Sequence, residues 1–174
     1  MRRVLLDVNV LLDAILGRLP HADAATKLWA AVEAKQMTGL VPAHGVTTLF
    51  YLVARRKGAP SARRAVGQLL TVFGVAEVDQ AVLRRGLALS WTDFEDAVCA
   101  AAAEAAGCDL IVTRDPSGFR DSPVSAVDPA TALALMDRGG GPRRVSERTQ
   151  SYGTGRKVET ARRHGASHPG RRRR

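Results

Sequence analysis

Short apolar runs alternate with longer amphipathic segments along the first 137 residues, and this alternation leaves few possible architectures. The helical segments that the apolar spacing predicts cover residues 10–16, 21–37, 46–56, 60–72, 80–89, 93–107 and 129–138. The runs predicted as strands cover residues 4–6, 39–43, 75–78, 110–113 and 124–127. Short apolar strands separated by helices are typical of a parallel sheet with both faces covered. We therefore expect an α/β fold with three layers, α/β/α, around a short central parallel sheet.

The charge of the chain is distributed very unevenly. The net charge is +9, but residues 1–137 contain 14 Lys and Arg against 15 Asp and Glu, a net charge of −1. Residues 138–174 contain 12 basic and 2 acidic residues, a net charge of +10. This second segment is rich in Gly and Arg and has few apolar side chains, a composition typical of disordered chain. We predict a folded domain over residues 1–137 and a disordered basic tail over residues 138–174.

The composition also bears on where the protein acts. No apolar run reaches the roughly 18 residues that a membrane-spanning helix needs. Arg2, Arg3 and Asp7 enclose a very short apolar run, which is not typical of a secretory signal. The two cysteines, Cys99 and Cys108, suit a reducing compartment. We expect a cytoplasmic protein without a membrane association.

Acidic residues follow the predicted strands at the points where the strands end. Asp7 follows the first strand and Asp115 follows the strand at residues 110–113, while Asp96 lies in the first turn of the alanine-rich helix. The carboxyl ends of parallel strands share one edge, which is where such folds bind ligands. Carboxylates gathered in one crevice repel one another unless a cation is present. Oxygen ligands favour Mg²⁺ or Mn²⁺, which activate water for attack at phosphorus.

Each of these acids also has a purely structural interpretation. Residues 92–95 match a capping box, with Thr92 as the cap and Glu95 as its partner. Asp115 begins a good turn sequence, and Asp13 is expected to be solvated or to form an ion pair. Asp7 is hardest to explain structurally, because it interrupts a buried apolar run.

Three short motifs in order resemble the PIN domain family. They are the opening Asp7-Val8-Asn9 after the first strand, Asp96-Ala97 at the start of the alanine-rich helix, and Thr113-Arg114-Asp115 with Phe119 close behind. The resemblance covers about residues 3–135 and none of the tail. Each motif alone is weak, but their order and spacing at predicted strand and helix boundaries make the combination fairly specific.

The resemblance implies a ribonuclease that uses Mg²⁺ or Mn²⁺ to hydrolyse RNA phosphodiesters, leaving a 3′-hydroxyl and a 5′-phosphate. Many bacterial members of the family are VapC-type toxins, each held by a small antitoxin protein. By matching position, Asp7, Asp96 and Asp115 are the catalytic and metal-binding acids, with Asn9 and Thr113 as supporting polar groups. Such toxins are generally dimers, so a homodimer is a further expectation.

One position departs from the pattern of many PIN nucleases. Thr48 stands where they carry a glutamate early in the helix after the second strand. A hydroxyl is a weaker ligand than a carboxylate, and Glu95 beside Asp96 is a candidate to supply the missing charge. The departure keeps an alternative open, namely a degenerate PIN fold that binds RNA or a protein partner without cleaving RNA.

Two further expectations concern the tail and the aromatic residues. The terminal Arg171, Arg172, Arg173 and Arg174 are either an electrostatic tether for RNA or a solvated appendage without a selected function. The aromatic side chains of Trp29, Phe50 and Tyr51 are expected in the core rather than at an interface.

Overall fold

The computed structural model describes residues 1–137, which form five strands and seven α-helices. The strands are β1 Arg3–Leu6, β2 Thr38–Pro42, β3 Gly74–Ala76, β4 Leu110–Val112 and β5 Ala126–Val127. The helices are α1 Val8–Leu16, α2 Ala22–Glu33, α3 Ala43–Lys57, α4 Ala59–Val72, α5 Gln80–Leu89, α6 Phe94–Ala105 and α7 Pro129–Asp137. A single 3-10 turn spans Pro116–Phe119. The predicted disordered tail and its terminal arginines lie outside the described residues.

The five strands form one parallel sheet in the order β3-β2-β1-β4-β5. From β1 the chain builds outward through β2 to β3, and then returns to the other side of β1 to add β4 and β5. The direction of strand addition therefore reverses between β1 and β4, where Leu6 pairs with Val112. The loops after these two strands diverge and leave a crevice, which is the place where open α/β sheets bind ligands.

Apolar side chains cover both faces of the sheet, as the alternating sequence predicts. Within β1, Val4 and Leu6 pack into one core cluster and Leu5 into the other. The second cluster contains the alanine-rich helix α6, in which Ala100 and Ala102 are fully buried. Short side chains let this helix approach the sheet closely. The three-layer α/β/α architecture is therefore confirmed.

Two local predictions were wrong. Asp93, not Thr92, caps α6, and its Oδ1 accepts a hydrogen bond from the backbone N–H of Asp96 at 3.1 Å. A carboxylate is a stronger acceptor than a hydroxyl for the exposed amides of a helix start. Tyr51 is 60 % exposed rather than in the core, because α3 buries the face that carries Leu49 and Val53.

Other expectations agree with the described part of the chain. Trp29 and Phe50 are half-buried against the core, and Trp29 packs edge-on against Phe73. Cys99 and Cys108 are free thiols. Within residues 1–137, no helix is both long enough and apolar enough to span a bilayer.

Candidate active site

A cleft of about 670 Å³ lies at the edge of the sheet where β1 and β4 end. It gathers side chains from the start of α1, from α3, from the start of α6 and from the loop after β4. The residues that line it are Asp7, Val8, Asn9, His21, Thr48, Leu52, Asp93, Glu95, Asp96, Thr113, Arg114 and Asp115. The structure thus brings together the seven site residues that the sequence predicts within residues 1–137: Asp7, Asn9, Thr48, Glu95, Asp96, Thr113 and Asp115.

Asp7 is the most buried acid of the cleft lining, with 9 % of its surface exposed. Its backbone N–H donates to the carbonyl of Val112 at 2.9 Å, which extends the β1–β4 pairing by one residue and places the side chain at the start of α1. Burial raises the pKa of Asp7, whereas the hydrogen bond from Thr113 lowers it. The amides of Asn9 and Val8 act in the same direction as Thr113, although neither forms a regular capping hydrogen bond.

Thr113 connects two of the predicted acids. Its buried hydroxyl donates to Asp7 Oδ2 at 3.1 Å and accepts a hydrogen bond from the backbone N–H of Asp115 at 3.2 Å. Asp115 in turn caps the 3-10 turn, where its carboxylate accepts hydrogen bonds from the hydroxyl and the backbone N–H of Ser117. These bonds lower the pKa of Asp115, the Ser117 hydroxyl having the largest effect. Asp115 is therefore held charged in a defined orientation.

Asp96 faces the other acids across the cleft from the first turn of α6. Burial, and after it the charges of Asp93, Asp7, Glu95 and Asp115 in that order, together raise its pKa to about 6. Each of these four carboxylates is thus close enough to Asp96 to disfavour its ionised form. The cleft concentrates negative charge that the protein itself does not neutralise at this point.

Gly118 leaves a space between two of these acids. The position that a Cβ atom on this residue would take lies 3.5 Å from Asp96 Oδ2 and 3.5 Å from Asp115 Oδ2. A Cβ atom at this position would be in ordinary van der Waals contact with both carboxylates. Glycine therefore leaves these two oxygens uncovered on this side.

The remaining predicted residues border this acidic group. Asn9 and Glu95 are exposed at the starts of α1 and α6, and the charge of Glu95 raises the pKa of both Asp7 and Asp96. Thr48 is half-buried, and its hydroxyl points back to the carbonyl of His44 on its own helix at 3.5 Å. Thr48 therefore adds a neutral oxygen and no charge to the cleft.

Besides Val8, Leu52 and the helix cap Asp93, three residues at or near the cleft were not predicted as part of the site. Arg114 and His21 line it, and His21 stands at the start of the helix predicted over residues 21–37, with no motif around it that indicates a site. Asp13, expected to be solvated or in an ion pair, is completely buried and lies 3.5 Å from Arg114 Nη1. The sequence signal for Arg114 is its position in the Thr113-Arg114-Asp115 motif, between two of the predicted site residues.

The donors of the cleft suit a hard divalent cation. Asp7, Asp96 and Asp115 offer carboxylate oxygens, the ligand type that Mg²⁺ and Mn²⁺ prefer. The raised pKa of Asp96 shows that a positive charge here would relieve repulsion. Within residues 1–137, no three acidic, imidazole or thiol groups are already clustered as closely as a metal site requires. The fit therefore rests on the type and charge of the donors and on the space at Gly118.

The sequence model of the PIN domain matches residues 3–117 of this chain. The match covers more than half of the chain and includes the Asp7, Asp96 and Asp115 segments. The chain belongs to the PIN domain family, whose members generally use a divalent metal ion.

Solved structures with the same fold include toxins of the VapC type. VapBC2 from Rickettsia felis, bound to a DNA fragment from its promoter, superimposes with a TM-score of 0.58 at 17 % identity, over 72 % of this chain and 98 % of that chain. VapC20 from Mycobacterium tuberculosis, a toxin that cleaves the sarcin-ricin loop, gives 0.53 at 19 % identity, over 62 % and 86 %. A toxin-antitoxin complex from Klebsiella pneumoniae gives 0.56 at 22 % identity, over 72 % and 97 %. No curated protein sequence matches the chain.

Proposed function

We propose that this protein is a metal-dependent ribonuclease and the toxin of a toxin-antitoxin pair. The observation that carries the proposal is the convergence of Asp7, Asp96 and Asp115, which are far apart in sequence, on one cleft at the switch point of the sheet. Membership of the PIN domain family and the fold shared with VapC toxins support the same reaction class.

In this proposal, Asp7, Asp96 and Asp115 would hold Mg²⁺ or Mn²⁺. The bound ion would supply Lewis acidity, which polarises a phosphate oxygen and makes water a stronger nucleophile for in-line attack at phosphorus. The hydrogen bond from Thr113 to Oδ2 holds Asp7 in one orientation and offsets part of the rise in its pKa that burial causes. Asn9, exposed beside Asp7, is available to orient water or a phosphate oxygen.

The test is RNA cleavage by the purified chain with Mg²⁺ or Mn²⁺ and with EDTA. We expect cleavage that needs the ion and that Asp7→Asn, Asp96→Asn and Asp115→Asn each abolish. Asp23→Asn is the matched control, because Asp23 is an exposed acid on α2 that pairs with Lys27 and does not line the cleft. Cleavage that persists in EDTA, or that survives all three cleft substitutions, would refute the assignment.

Glu95 offers a way to compensate for the neutral Thr48. After burial, which is the largest cause, its charge is one of the contributors to the raised pKa of both Asp7 and Asp96. We propose that Glu95 supplies the negative charge that other PIN nucleases place at the Thr48 position. Glu95→Gln should then weaken metal-dependent cleavage, and Thr48→Glu should restore it in the Glu95→Gln background. If Glu95→Gln leaves cleavage unchanged while Asp96→Asn abolishes it, Glu95 has no such role.

The neutral Thr48 also favours a second candidate, a PIN fold that binds RNA or a protein partner without cleaving RNA. The RNA cleavage assay with Mg²⁺ or Mn²⁺ distinguishes the two candidate functions, because a degenerate site would yield no metal-dependent cleavage product. If Thr48→Glu creates cleavage where the wild type shows none, the second candidate is correct for the natural chain.

The proposed partner is a small antitoxin protein. The Klebsiella pneumoniae structure, whose fold this chain shares, is a toxin-antitoxin complex. An adjacent reading frame that encodes a small DNA-binding protein should yield a product that co-purifies with this chain and inhibits cleavage. We propose a homodimer in solution as well, which light scattering of the purified chain tests directly.

A further inference from the structure

Asp13 is a buried charge that the proposed metal chemistry does not use. It lies on α1 with no exposed surface, and neither carboxylate oxygen has a hydrogen-bond partner within residues 1–137. A buried carboxylate is costly unless a positive charge compensates for it. Two guanidinium groups do so, with Arg114 Nη1 at 3.5 Å and Arg18 Nη1 at 4.0 Å from the same oxygen, Oδ1.

Arg114 differs from Arg18 because it also lines the acidic cleft. Its side chain is about one-third exposed, and it stands in sequence between Thr113 and Asp115, whose side chains face the same space. The contact with Asp13 is electrostatic and uses none of the guanidinium's five N–H donors in a regular hydrogen bond. Those donors stay available to a ligand while the buried carboxylate holds the group in place.

The cleft needs such a cation if an RNA chain is to enter it. Five carboxylates line the cleft and repel a phosphodiester, and its only other titratable cationic side chain within residues 1–137 is His21. A guanidinium is suited to phosphate because its planar donors match two phosphate oxygens at once.

We propose that Arg114 binds a phosphate group of the RNA substrate and that Asp13 is the positioning residue that holds Arg114 for this contact. The inference rests on the proposed function for the identity of the substrate. It adds a phosphate-binding residue that is separate from the three acids and independent of any metal ion.

The experiment measures binding of a fluorescein-labelled RNA tetranucleotide to the full chain in EDTA, by fluorescence anisotropy over a range of salt concentrations. Arg114→Ala should weaken binding about tenfold or more, the loss typical of a charged hydrogen bond. The slope of log affinity against log salt concentration should fall by about 0.7, which corresponds to one fewer phosphate contact on a single strand. Arg18→Ala, the matched control, should leave binding near the wild-type value.

Asp13→Asn separates positioning from bulk charge, because it makes the protein more positive overall. If Asp13 only balanced the charge, its loss would strengthen RNA binding; in our proposal it weakens binding to a degree comparable with Arg114→Ala. The double variant Asp13→Asn/Arg114→Met leaves no unpaired buried charge and should bind no more weakly than Arg114→Ala alone. Thermal unfolding of each variant checks the fold, and the double variant carries the test if Arg114→Ala does not fold.

Three outcomes overturn the proposal: wild-type affinity in the Arg114 variants, unchanged or tighter binding by Asp13→Asn, and a wild-type chain that does not bind the tetranucleotide in EDTA. Cleavage with Mg²⁺ is measured separately on the same preparations. RNA binding that depends on Arg114 without any cleavage would refute the nuclease proposal and leave this one standing. Metal-dependent cleavage together with wild-type RNA affinity in the Arg114 variants would refute this proposal and leave the nuclease proposal standing.

Discussion

Replacing Asp96 by asparagine should stabilise the metal-free protein at neutral pH even though it removes a proposed metal ligand. Burial and four neighbouring carboxylates raise the pKa of Asp96 from 3.8 to about 6. A shift of that size corresponds to about 3 kcal/mol between the charged and neutral forms. The side chain is only half-buried, so solvent screening reduces the expected gain to about 1–2 kcal/mol.

The same shift sets the pH dependence of the effect. Between pH 3.8 and about 6 the folded protein binds a proton at Asp96 more tightly than the unfolded chain does. The stability of the wild type is therefore lost progressively as pH rises through this window, and the full penalty is present above it. Asp96→Asn has no proton to lose at this position, so its advantage should be complete at pH 7.5 and nearly absent near pH 4.

Urea unfolding in EDTA, followed by circular dichroism at both pH values, measures this difference. Asp109→Asn is an informative control, because Asp109 lies away from the cleft and accepts a hydrogen bond from the backbone N–H of Arg3 at 2.8 Å. That substitution should not stabilise the protein at either pH. If Asp96→Asn is no more stable than the wild type at pH 7.5, or equally stabilising at both pH values, the acids of the cleft do not repel one another as the structure indicates.

Three other predictions follow from the same geometry. Thr113→Val should lower the free energy of unfolding in urea by about 2–3 kcal/mol, and by more at pH 8 than at pH 4, because the lost hydrogen bond favours the charged form of Asp7. Thr113→Ser keeps a hydroxyl at this position and should retain most of the wild-type stability. Saturating Mg²⁺ or Mn²⁺ at pH 7.5 should raise Tm by about 5–10 °C, and an equal rise in Asp7→Asn would contradict the proposed ligand set. Deletion of residues 139–174 tests whether the basic tail is an electrostatic tether for RNA. If it is, the deletion should weaken RNA binding at low salt and leave the Mg²⁺-induced rise in Tm unchanged. If the deletion leaves RNA affinity unchanged from low to high salt, the tail is a solvated appendage.

Much of the candidate site follows from local sequence. Asp7 and Asp115 were predicted because each follows an apolar run that is too short to be anything but a buried strand. Parallel strands end at one edge, so two acids that are 108 positions apart in the chain become neighbours without any further information. Asp96 was predicted by the same logic from the start of a helix that packs on that sheet.

Other features of the cleft depend on contacts between distant segments. Asp13 resembles any acid on a helix, and nothing in its neighbourhood shows that Arg114, a hundred positions later, compensates for its burial. The space at Gly118 likewise arises from where the 3-10 turn lies relative to α6. Thr92 and Asp93 are both good capping residues, and the one with the stronger acceptor, Asp93, caps α6.

The sequence by itself determined the order of strands and helices, the burial of both sheet faces and the acids that end two strands. These are consequences of apolar periodicity and of the few ways in which short strands and helices can pack. Tertiary structure alone decided which acids ionise readily, which hydroxyl joins Asp7 to the Asp115 backbone, and which cation compensates for Asp13. Such properties depend on burial and on distances of a few ångströms between segments far apart in the chain. Electrostatic interactions and hydrogen bonds vary steeply with both quantities, and no local sequence pattern encodes either.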